Sequence, residues 1–230
     1  MAATRLPNKP LADIGGVPMI VRAYQQAEAS GLPVAVAAGD PEIVAAIEAI
    51  GGRAILTDPN LPSGSDRIRA AVDAIDPEGD FDAVINVQGD MPFASPGLAT
   101  ACAAILHGEP TCDIATLVAI EADVSDRANP DVVKAVLALA GGERQGRALY
   151  FTRSTLYGDA PIWRHIGVYG YRRVALNRFC DAPQSPLEKR EKLEQLRALE
   201  MGMQIWAAVI DEAPLSVDNP ADLEAARALV

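Results

Sequence analysis

Short apolar strand segments alternate with helical segments through the first half of the chain. Residues 34–38 and 53–57 have the length and apolar character of strands, and Asp40-Pro41 between them predicts the start of a helix that runs to Gly51. A strand, a helix and a second strand at this spacing predict βαβ units, whose strands are parallel. The chain is therefore predicted to be an α/β protein with a mostly parallel sheet flanked by helices.

The stretch Phe81–Asp90 is an apolar run that ends abruptly in polar residues. Its β-rich centre predicts a buried central strand, which Gly89 brings to an end. Gln88 and Asp90 then lie at the carboxyl end of that strand, where open α/β sheets bind ligands and where an acidic side chain can hold a divalent cation. An Asx turn at the strand exit is the competing interpretation.

Composition excludes several classes of protein. The 230 residues are 50% hydrophobic, which favours a globular chain, and the net charge of −11 argues against non-specific binding to nucleic acid. Three cysteines and two histidines without metal-like spacing indicate neither a disulfide framework nor a zinc site. No apolar run reaches the roughly 20 residues that span a bilayer, and no signal peptide is visible at the start. We therefore expect no membrane partner and a cytoplasmic location.

Two cations, Arg5 and Lys9, lie four residues apart in an opening segment that Pro7 and Pro10 keep extended or turned. Arginine binds phosphate as a fork and lysine as a point charge, so such a loop can hold a polyphosphate. A solvated basic terminus is the alternative interpretation.

Two further segments carry small polar side chains at a predicted helix start. The loop Ser63-Gly64-Ser65-Asp66-Arg67 offers hydroxyl donors and leads into a helix that Ser65 or Asp66 is predicted to cap. Near the end of the chain, Asp218 precedes the terminal helix, and a simple N-cap is its plainest interpretation. Both segments can equally be ordinary capped loops.

The second half of the chain has a different pattern. Residues 132–139 and 147–152 flank a glycine-rich turn and predict an antiparallel hairpin. Residues 164–171 predict a further strand, on which His165 is either a structural or a functional residue. A helix predicted over Leu187–Met201 carries Glu194 and Gln195, which by pattern alone belong to a solvated face.

Seven short motifs follow one another along essentially the whole chain. They are Arg5-Leu-Pro-Asn-Lys9-Pro-Leu11, Ser63-Gly-Ser-Asp-Arg67, Asn86-Val-Gln-Gly-Asp90, His165-Ile-Gly-Val-Tyr-Gly-Tyr171, Ser185-Pro-Leu-Glu188, Leu193-Glu-Gln-Leu-Arg197 and Val217-Asp-Asn-Pro220. Together they resemble the 3-deoxy-manno-octulosonate cytidylyltransferases, the CMP-Kdo synthetases of Gram-negative bacteria. Each motif is modest, whereas the ordered set is highly specific.

The resemblance implies a Mg²⁺-dependent homodimer that makes CMP-Kdo and pyrophosphate from CTP and Kdo for lipopolysaccharide biosynthesis. It implies a nucleotidyltransferase, Rossmann-like fold with a smaller antiparallel lobe for sugar binding and dimerisation. Residues 1–230 would form a single cytidylyltransferase domain. Within it, residues 1–125 would be mainly the nucleotide-binding half, 126–215 mainly the lobe, and 216–230 a helix that packs back.

The resemblance also implies roles for individual residues. Catalytic roles fall to Lys9, Asp90 and Asp218, of which the two aspartates would bind the metal. The nucleotide would contact Arg5, Lys9, Ser63, Gly64, Arg67 and Gln88. The sugar would contact Arg153, His165, Tyr169, Glu194 and Gln195, with Arg153 suited to its carboxylate.

Three departures from the family pattern stand out. Met91 follows Asp90 where the family commonly has glutamate, and the segment between Arg153 and His165 is short. Family members also begin with an apolar strand and a Pro-Ala-Arg loop, so we expect the natural protein to be longer at its amino end. The alternatives are another CMP-sugar synthetase, acting on an acylneuraminate or an amino analogue of Kdo, and a nucleotide-binding protein without turnover.

Overall fold

A computed structural model of the protein describes residues 6–121, 124–158 and 161–230. In this part of the chain the strands are β1 (Asp13–Ile14), β2 (Val17–Pro18), β3 (Val36–Ala38), β4 (Ala54–Leu56), β5 (Ala83–Asn86), β6 (Ile114–Glu121), β7 (Lys134–Ala138), β8 (Gln145–Thr152), β9 (Ile162–Arg172) and β10 (Ile205–Ile210). The helices are α1 (Met19–Glu28), α2 (Pro41–Glu48), α3 (Gly64–Ile75), α4 (Gly97–Gly108), α5 (Arg173–Asp181), α6 (Pro186–Glu191), α7 (Gln195–Glu200) and α8 (Pro220–Arg227). None of these helices is long and apolar enough to cross a membrane.

The chain divides into two compact units, each made of separate segments. The first contains the described residues up to Asp80 together with Val87–Ala99 and Pro214–Val230. The second contains Phe81–Asn86 and the described residues of Thr100–Ala213. The described residues of 100–125, which we expected in the nucleotide-binding half, therefore group with the second unit.

The first unit contains the predicted strand, helix and strand. β3 pairs in parallel with β4 from Val36–Ala54 to Ala38–Leu56, and α2 connects the two strands. Side chains of α1, β3 and α2 form one core cluster: Ile20, Val21, Tyr24, Ala38, Ile43 and Ile47. The βαβ prediction for this part of the chain is confirmed.

A second core cluster of the first unit joins the beginning of the chain to its end. Ile14 and Met19 are fully buried against Val217, and Leu223 and Ala226 of α8 complete the cluster. The apolar face of α8 thus packs on residues more than 200 positions earlier in the chain.

The second unit is built on a six-stranded sheet of order β5-β9-β6-β10-β8-β7, in which β7 also pairs with β9. Only β10 and β6 run parallel; the other neighbours are antiparallel. The prediction of a mostly parallel sheet is therefore wrong for this sheet. The long strand β9 lies between β5 and β6 and is antiparallel to both, and the hairpin of β7 and β8, itself predicted correctly, adds further antiparallel pairs.

Strand β5 differs from the prediction in its position. It lies at the end of the strand order, paired with β9, and Asn86 is its only buried residue. The apolar run was expected to be a central strand because both of its faces looked covered. One neighbour in the sheet leaves its other side chains half-buried instead.

The helix predicted over Leu187–Met201 is two helices. α6 ends at Glu191, the next residue Lys192 adopts the left-handed conformation with φ of 56°, and α7 begins at Gln195. A left-handed residue ends a helix because it breaks the run of backbone hydrogen bonds. The helix α5 was not predicted.

Candidate active site

Three side chains of the first unit that are far apart in the sequence meet at one point. The ammonium nitrogen Nζ of Lys9 lies 2.8 Å from Oδ2 of Asp90 and 3.0 Å from Oδ1 of Asp218. The Lys9 and Asp90 side chains are mostly buried, whereas that of Asp218 is 61% exposed. The structure therefore brings together the three residues to which we assigned catalytic roles.

Local backbone structure fixes the two carboxylates. The amide of Val217 donates a 2.9 Å hydrogen bond to the carbonyl of Asp90, which holds the two segments side by side. Asn219, and not Asp218, caps α8: its side chain accepts from the amides of Ala221 and Asp222, and the Asp222 carboxylate accepts from the amide of Asn219. The simple N-cap interpretation of Asp218 is therefore wrong, and its carboxylate is available to Lys9.

Lys9 occupies a short 3₁₀ turn, Lys9–Leu11, that Asn8 enters in the left-handed conformation with φ of 53°. Burial lowers the pKa of the Lys9 ammonium, but the hydrogen bonds and charges of Asp90 and Asp218 outweigh that effect and raise the pKa above its usual value. Lys9 is therefore a permanent cation at physiological pH.

The paired carboxylates suit a divalent cation together with phosphate. Both converge on a single positive charge, and Mg²⁺ is usually bound by one or two carboxylates with the remaining positions filled by water and substrate phosphates. Within the described residues there is no cluster of three or more His, Cys, Asp or Glu side chains that could hold a metal by itself. The two aspartates thus fit a site that the nucleotide completes.

The loop predicted to contact the nucleotide is held by its own hydrogen bonds. Ser63 is the N-cap of α3, in place of the predicted Ser65 or Asp66: its Oγ accepts from the amide of Asp66 and donates to the Asp66 carboxylate at 2.7 Å. Gly64 opens the helix, and a Cβ at this position would meet only open space.

Arg67 of the same segment reaches back over the preceding loop. Its Nη1 donates to Oγ1 of Thr57 at 2.6 Å and to the carbonyl of Asp58 at 3.2 Å. A Cβ at Gly39 would lie 2.8 Å from the same Nη1. The guanidinium therefore orders the loop between β4 and α3, and a purely structural role accounts for its contacts in this structure.

The remaining nucleotide candidates are Gln88 and Arg5. Gln88 is half-buried and precedes the turn in which Met91 donates its amide to the Gln88 carbonyl. Met91, which stands where the family has glutamate, is buried, so its side chain belongs to the interior of the unit. Arg5 lies outside the described residues.

All five residues predicted to bind the sugar belong to the second unit. Two of them, His165 and Arg153, lie on or next to segments that pair with β7. The amide of His165 donates to the carbonyl of Val133, and Lys134 at the start of β7 is paired with both Thr152 and Arg164. Arg153 follows Thr152 directly, and its Nη1 donates to the carbonyl of Pro130 at 2.9 Å.

Aromatic contacts join His165 to Tyr169. Their ring centroids are 5.4 Å apart, and Phe151 packs its ring against His165 at 5.0 Å. Burial lowers the pKa of His165 to about 3 and, with the nearby Tyr171 and Glu194, raises the pKa of Tyr169 well above its usual value. Both side chains are therefore neutral at pH 7 and can recognise hydroxyl groups without charge.

Glu194 and Gln195 lie where α6 gives way to α7. Gln195 is buried, and within the described residues its Nε2 has no hydrogen-bond partner. The solvated-face interpretation is therefore wrong for Gln195, because a buried amide without a partner is costly unless a ligand supplies one. Glu194 is half-buried, with Oε1 3.6 Å from Nη2 of Arg197.

Sequence reasoning gave no role to three buried polar residues beside these candidates. Lys134 is fully buried, and Arg197 and Glu188 form an ion pair of which each side chain is 6% exposed. The detectable signal for Lys134 was a charge inside the apolar run Val132-Val133-Lys134-Ala135. Glu188 and Arg197 stood within recognised motifs, but nothing in the motifs indicated that they pair.

Comparisons with known proteins show the family of the chain. A family model described as cytidylyltransferase matches residues 1–205. The 3-deoxy-manno-octulosonate cytidylyltransferase of Paramagnetospirillum magneticum is 55% identical over 100% of this chain and 94% of its own length. That of Parvibaculum lavamentivorans is 55% identical over 99% of this chain and 88% of its own.

Solved structures show the same fold. A structure of CMP:2-keto-3-deoxy-manno-octonic acid synthetase complexed with CTP superposes with a TM-score of 0.88 at 35% identity, covering 99% of this chain and 93% of that one. A nucleotidyl transferase from Methanothermobacter thermautotrophicus, at 16% identity and a TM-score of 0.58 over 96% of this chain and 84% of that one, shares the fold alone. The chain belongs to the cytidylyltransferase family and, within it, to the 3-deoxy-manno-octulosonate cytidylyltransferases.

Proposed function

We propose that this chain transfers CMP from CTP to 3-deoxy-D-manno-octulosonate (Kdo), giving CMP-Kdo and pyrophosphate for lipopolysaccharide biosynthesis. The convergence of Asp90 and Asp218 on the ammonium of Lys9, at 2.8 and 3.0 Å, carries the proposal. Transfer between a triphosphate and an alcohol depends on positioning and on neutralising phosphate charge, and this cluster supplies fixed charges of both signs. The relatives named for this reaction support the choice of sugar.

The reaction exchanges one phosphorus–oxygen bond for another. A hydroxyl oxygen of the sugar attacks the α-phosphorus of CTP, the bond to pyrophosphate breaks, and the hydroxyl proton passes to solvent. Lys9, held as a cation, attracts the triphosphate and neutralises part of its charge. Arg5 is proposed as the second arm of this clamp.

Asp90 and Asp218 would hold Mg²⁺. When bound, the metal supplies further neutralisation of phosphate charge and orients the reacting groups. Since Lys9 bridges both carboxylates in this structure, it keeps them close together against their mutual repulsion.

The second unit would bind the sugar. The guanidinium of Arg153 suits the carboxylate of Kdo as a two-pronged donor. Gln195 has a buried amide that lacks a partner, so a sugar hydroxyl would satisfy it. His165, Tyr169 and Glu194 would complete the polar surroundings of the other hydroxyls.

Two other properties follow only from the family resemblance. We propose a homodimer, and the cytoplasmic location inferred from the sequence stays a prediction. Size-exclusion chromatography with light scattering would test the dimer directly.

The test of the function is the release of pyrophosphate from CTP in the presence of Kdo and Mg²⁺. Asp90→Asn should lower turnover by orders of magnitude and leave the fold intact, because it removes charge at a segment end and no core side chain. Asp211→Asn is the matched control, since its carboxylate is 87% exposed on a surface ion pair with Arg144. Near-normal turnover of Asp90→Asn would refute the assignment.

Substrate panels separate the alternatives. CTP should be used in preference to ATP, because a site with fixed hydrogen-bond partners rejects a base that leaves them unpaired. Turnover with an acylneuraminate or an amino analogue of Kdo, and not with Kdo, would identify another CMP-sugar synthetase. Binding of CTP without pyrophosphate release with any of these sugars would indicate a nucleotide-binding protein without turnover.

A further inference from the structure

The hydroxyl group of Thr116 lies beside three polar atoms of β9. Thr116 is fully buried in β6, and its Oγ1 is 2.8 Å from the carbonyl oxygen of Val168 and 3.3 Å from that of Ile166. It is also 2.9 Å from the ring nitrogen Nε2 of His165. The mechanism proposed above assigns no role to this threonine.

The number of protons available determines which group donates in the hydrogen bond between Thr116 and His165. A hydroxyl has one proton to donate, and a carbonyl oxygen can only accept. If the proton went to Nε2, the carbonyl oxygen of Val168 would face a hydroxyl lone pair at 2.8 Å. The arrangement is satisfied only when Thr116 donates to a carbonyl and the ring donates from Nε2–H.

We propose that Thr116 is a positioning residue that holds His165 as its neutral Nε2–H tautomer, so that Nδ1 accepts a hydrogen bond from a hydroxyl group of the acidic sugar. This inference rests on the proposed function for the identity of the ligand. The tautomer of the His165 ring does not depend on that function. In a neutral imidazole one nitrogen donates and the other accepts, so fixing one fixes the other.

A β-bulge creates the geometry. Leu117 pairs with Ile166 and Thr116 with Tyr169, so Gly167 and Val168 have no partner on β6. In a regular strand Cα atoms four residues apart are separated by about 13 Å. The rings of His165 and Tyr169 are nevertheless only 5.4 Å apart, and the bonds of Thr116 tie both ends of the bulge together.

The surroundings of the ring support the neutral state. Phe151, on β8, packs edge-on against the imidazole, and burial lowers the pKa of His165 to about 3. The residue His165 as a whole is half-buried and not fully enclosed. An acceptor in such a place favours ligands that present a hydroxyl and disfavours deoxy analogues at the same position.

Nitrogen NMR of the histidine side chains tests the proposal without any enzymatic assay. The chain has only two histidines, so His107→Gln, which removes the exposed one, assigns the signals of His165. At pH 7 we expect a protonated Nε2 and an unprotonated Nδ1. Kdo should shift the Nδ1 resonance, and CTP alone should not. An Nδ1–H tautomer or an imidazolium at pH 7 would overturn the proposal even in a fully active enzyme.

Two substitutions separate positioning from packing. Thr116→Val keeps the shape and removes the hydroxyl, and it should raise KM for Kdo roughly tenfold or more while KM for CTP changes little. Thr116→Ser keeps the hydroxyl and should restore most of the sugar affinity and the wild-type tautomer. A loss in the serine variant as large as that in the valine variant would show that keeping the hydroxyl is not enough to position the ring, which would also overturn the proposal. If the valine variant does not fold, the wild-type spectrum and the serine variant decide.

The failure of this proposal and that of the proposed function are distinguishable. A chain that releases no pyrophosphate with Kdo contradicts the function, while its His165 tautomer is still measured. A chain that is active with Kdo but carries the Nδ1–H tautomer contradicts the present inference alone.

Discussion

The ammonium of Lys134 donates a 2.9 Å hydrogen bond to the main-chain carbonyl of Arg153. It donates a second, at 2.6 Å, to the carbonyl of Asn129, from a side chain that is fully buried. Burial lowers the pKa of Lys134, and the nearby carboxylate of Asp126 opposes that effect. One lysine thus ties the segment that carries Arg153 to the turn before β7.

Replacing Lys134 by methionine removes both hydrogen bonds and keeps the length of the side chain. We expect the free energy of unfolding to fall by roughly 2–4 kcal/mol, because two part-buried carbonyls lose their donor while a buried charge is relieved. KM for Kdo should rise with little change in KM for CTP, since Arg153 loses its anchor. Urea denaturation and steady-state kinetics measure the two effects. Lys189→Met, at an exposed position of α6, is the control, and an identical result for both variants would contradict the anchoring role.

The buried ion pair of α6 and α7 predicts a large effect on stability. Nε and Nη2 of Arg197 each lie 2.8 Å from a carboxylate oxygen of Glu188, and the guanidinium stacks over Phe179 at 4.4 Å. Arg197→Met leaves a buried carboxylate without its partner, so we expect a loss of about 3–5 kcal/mol in urea denaturation. Arg190→Met, whose side chain is 65% exposed, should change stability by less than about 1 kcal/mol. A loss for Arg197→Met as small as that for Arg190→Met would mean that the buried ion pair does not contribute to stability.

If Asp90 and Asp218 hold the proposed divalent cation, Lys9 competes with it for the same two carboxylates. Lys9→Met removes the competing positive charge, so Mn²⁺, used as a paramagnetic substitute for Mg²⁺, should bind the nucleotide-free protein at least about tenfold more tightly. Asp90→Asn should weaken that binding. Electron paramagnetic resonance measures free Mn²⁺ directly. Unchanged or weaker binding by Lys9→Met would separate the lysine from the metal site.

His165 makes folding sensitive to acid. Its pKa is lowered from 6.5 to about 3 in the folded protein, so the unfolded chain takes up the proton first and stability is lost as the pH falls from 6.5 towards 3. Between pH 7 and pH 5 the wild type should lose about 2 kcal/mol more than His165→Gln in urea denaturation. His107→Gln, at an exposed position, should follow the wild type. Parallel pH profiles of the wild type and His165→Gln would contradict the lowered pKa.

Local signals in the sequence predicted where helices and strands lie better than they predicted which strands pair with each other. Asp40-Pro41 gave the start of α2 correctly because a helix start depends on neighbouring residues. The partners of β9 depend on contacts with β5 and β6, whose paired residues lie about 40 or more positions away in the chain. No periodicity within Ile162–Arg172 distinguishes an antiparallel from a parallel neighbour, so the mostly parallel sheet was a false extrapolation from the first half.

The candidate site shows the same difference between features that local sequence predicts and features that depend on distant contacts. Motif order singled out Lys9, Asp90 and Asp218, and these residues do converge. The role proposed for Thr116 could not be predicted from the sequence, because a threonine in an apolar strand is ordinary. That role depends on a β-bulge in the neighbouring strand β9. The break at Lys192 was equally hidden, since a left-handed conformation is unusual for lysine and has no local signature.

Lys9 and Asp218, 209 positions apart, set an order of events during synthesis. While the ribosome is still making the last part of the chain, Lys9 has only Asp90 as a partner, and Ile14 and Met19 lack the covering that Val217 and α8 provide. This part of the first unit therefore closes only after Val217 and α8 have been made and have left the ribosome. A nascent chain can acquire the contacts within the described residues of Thr100–Ala213 before that closure.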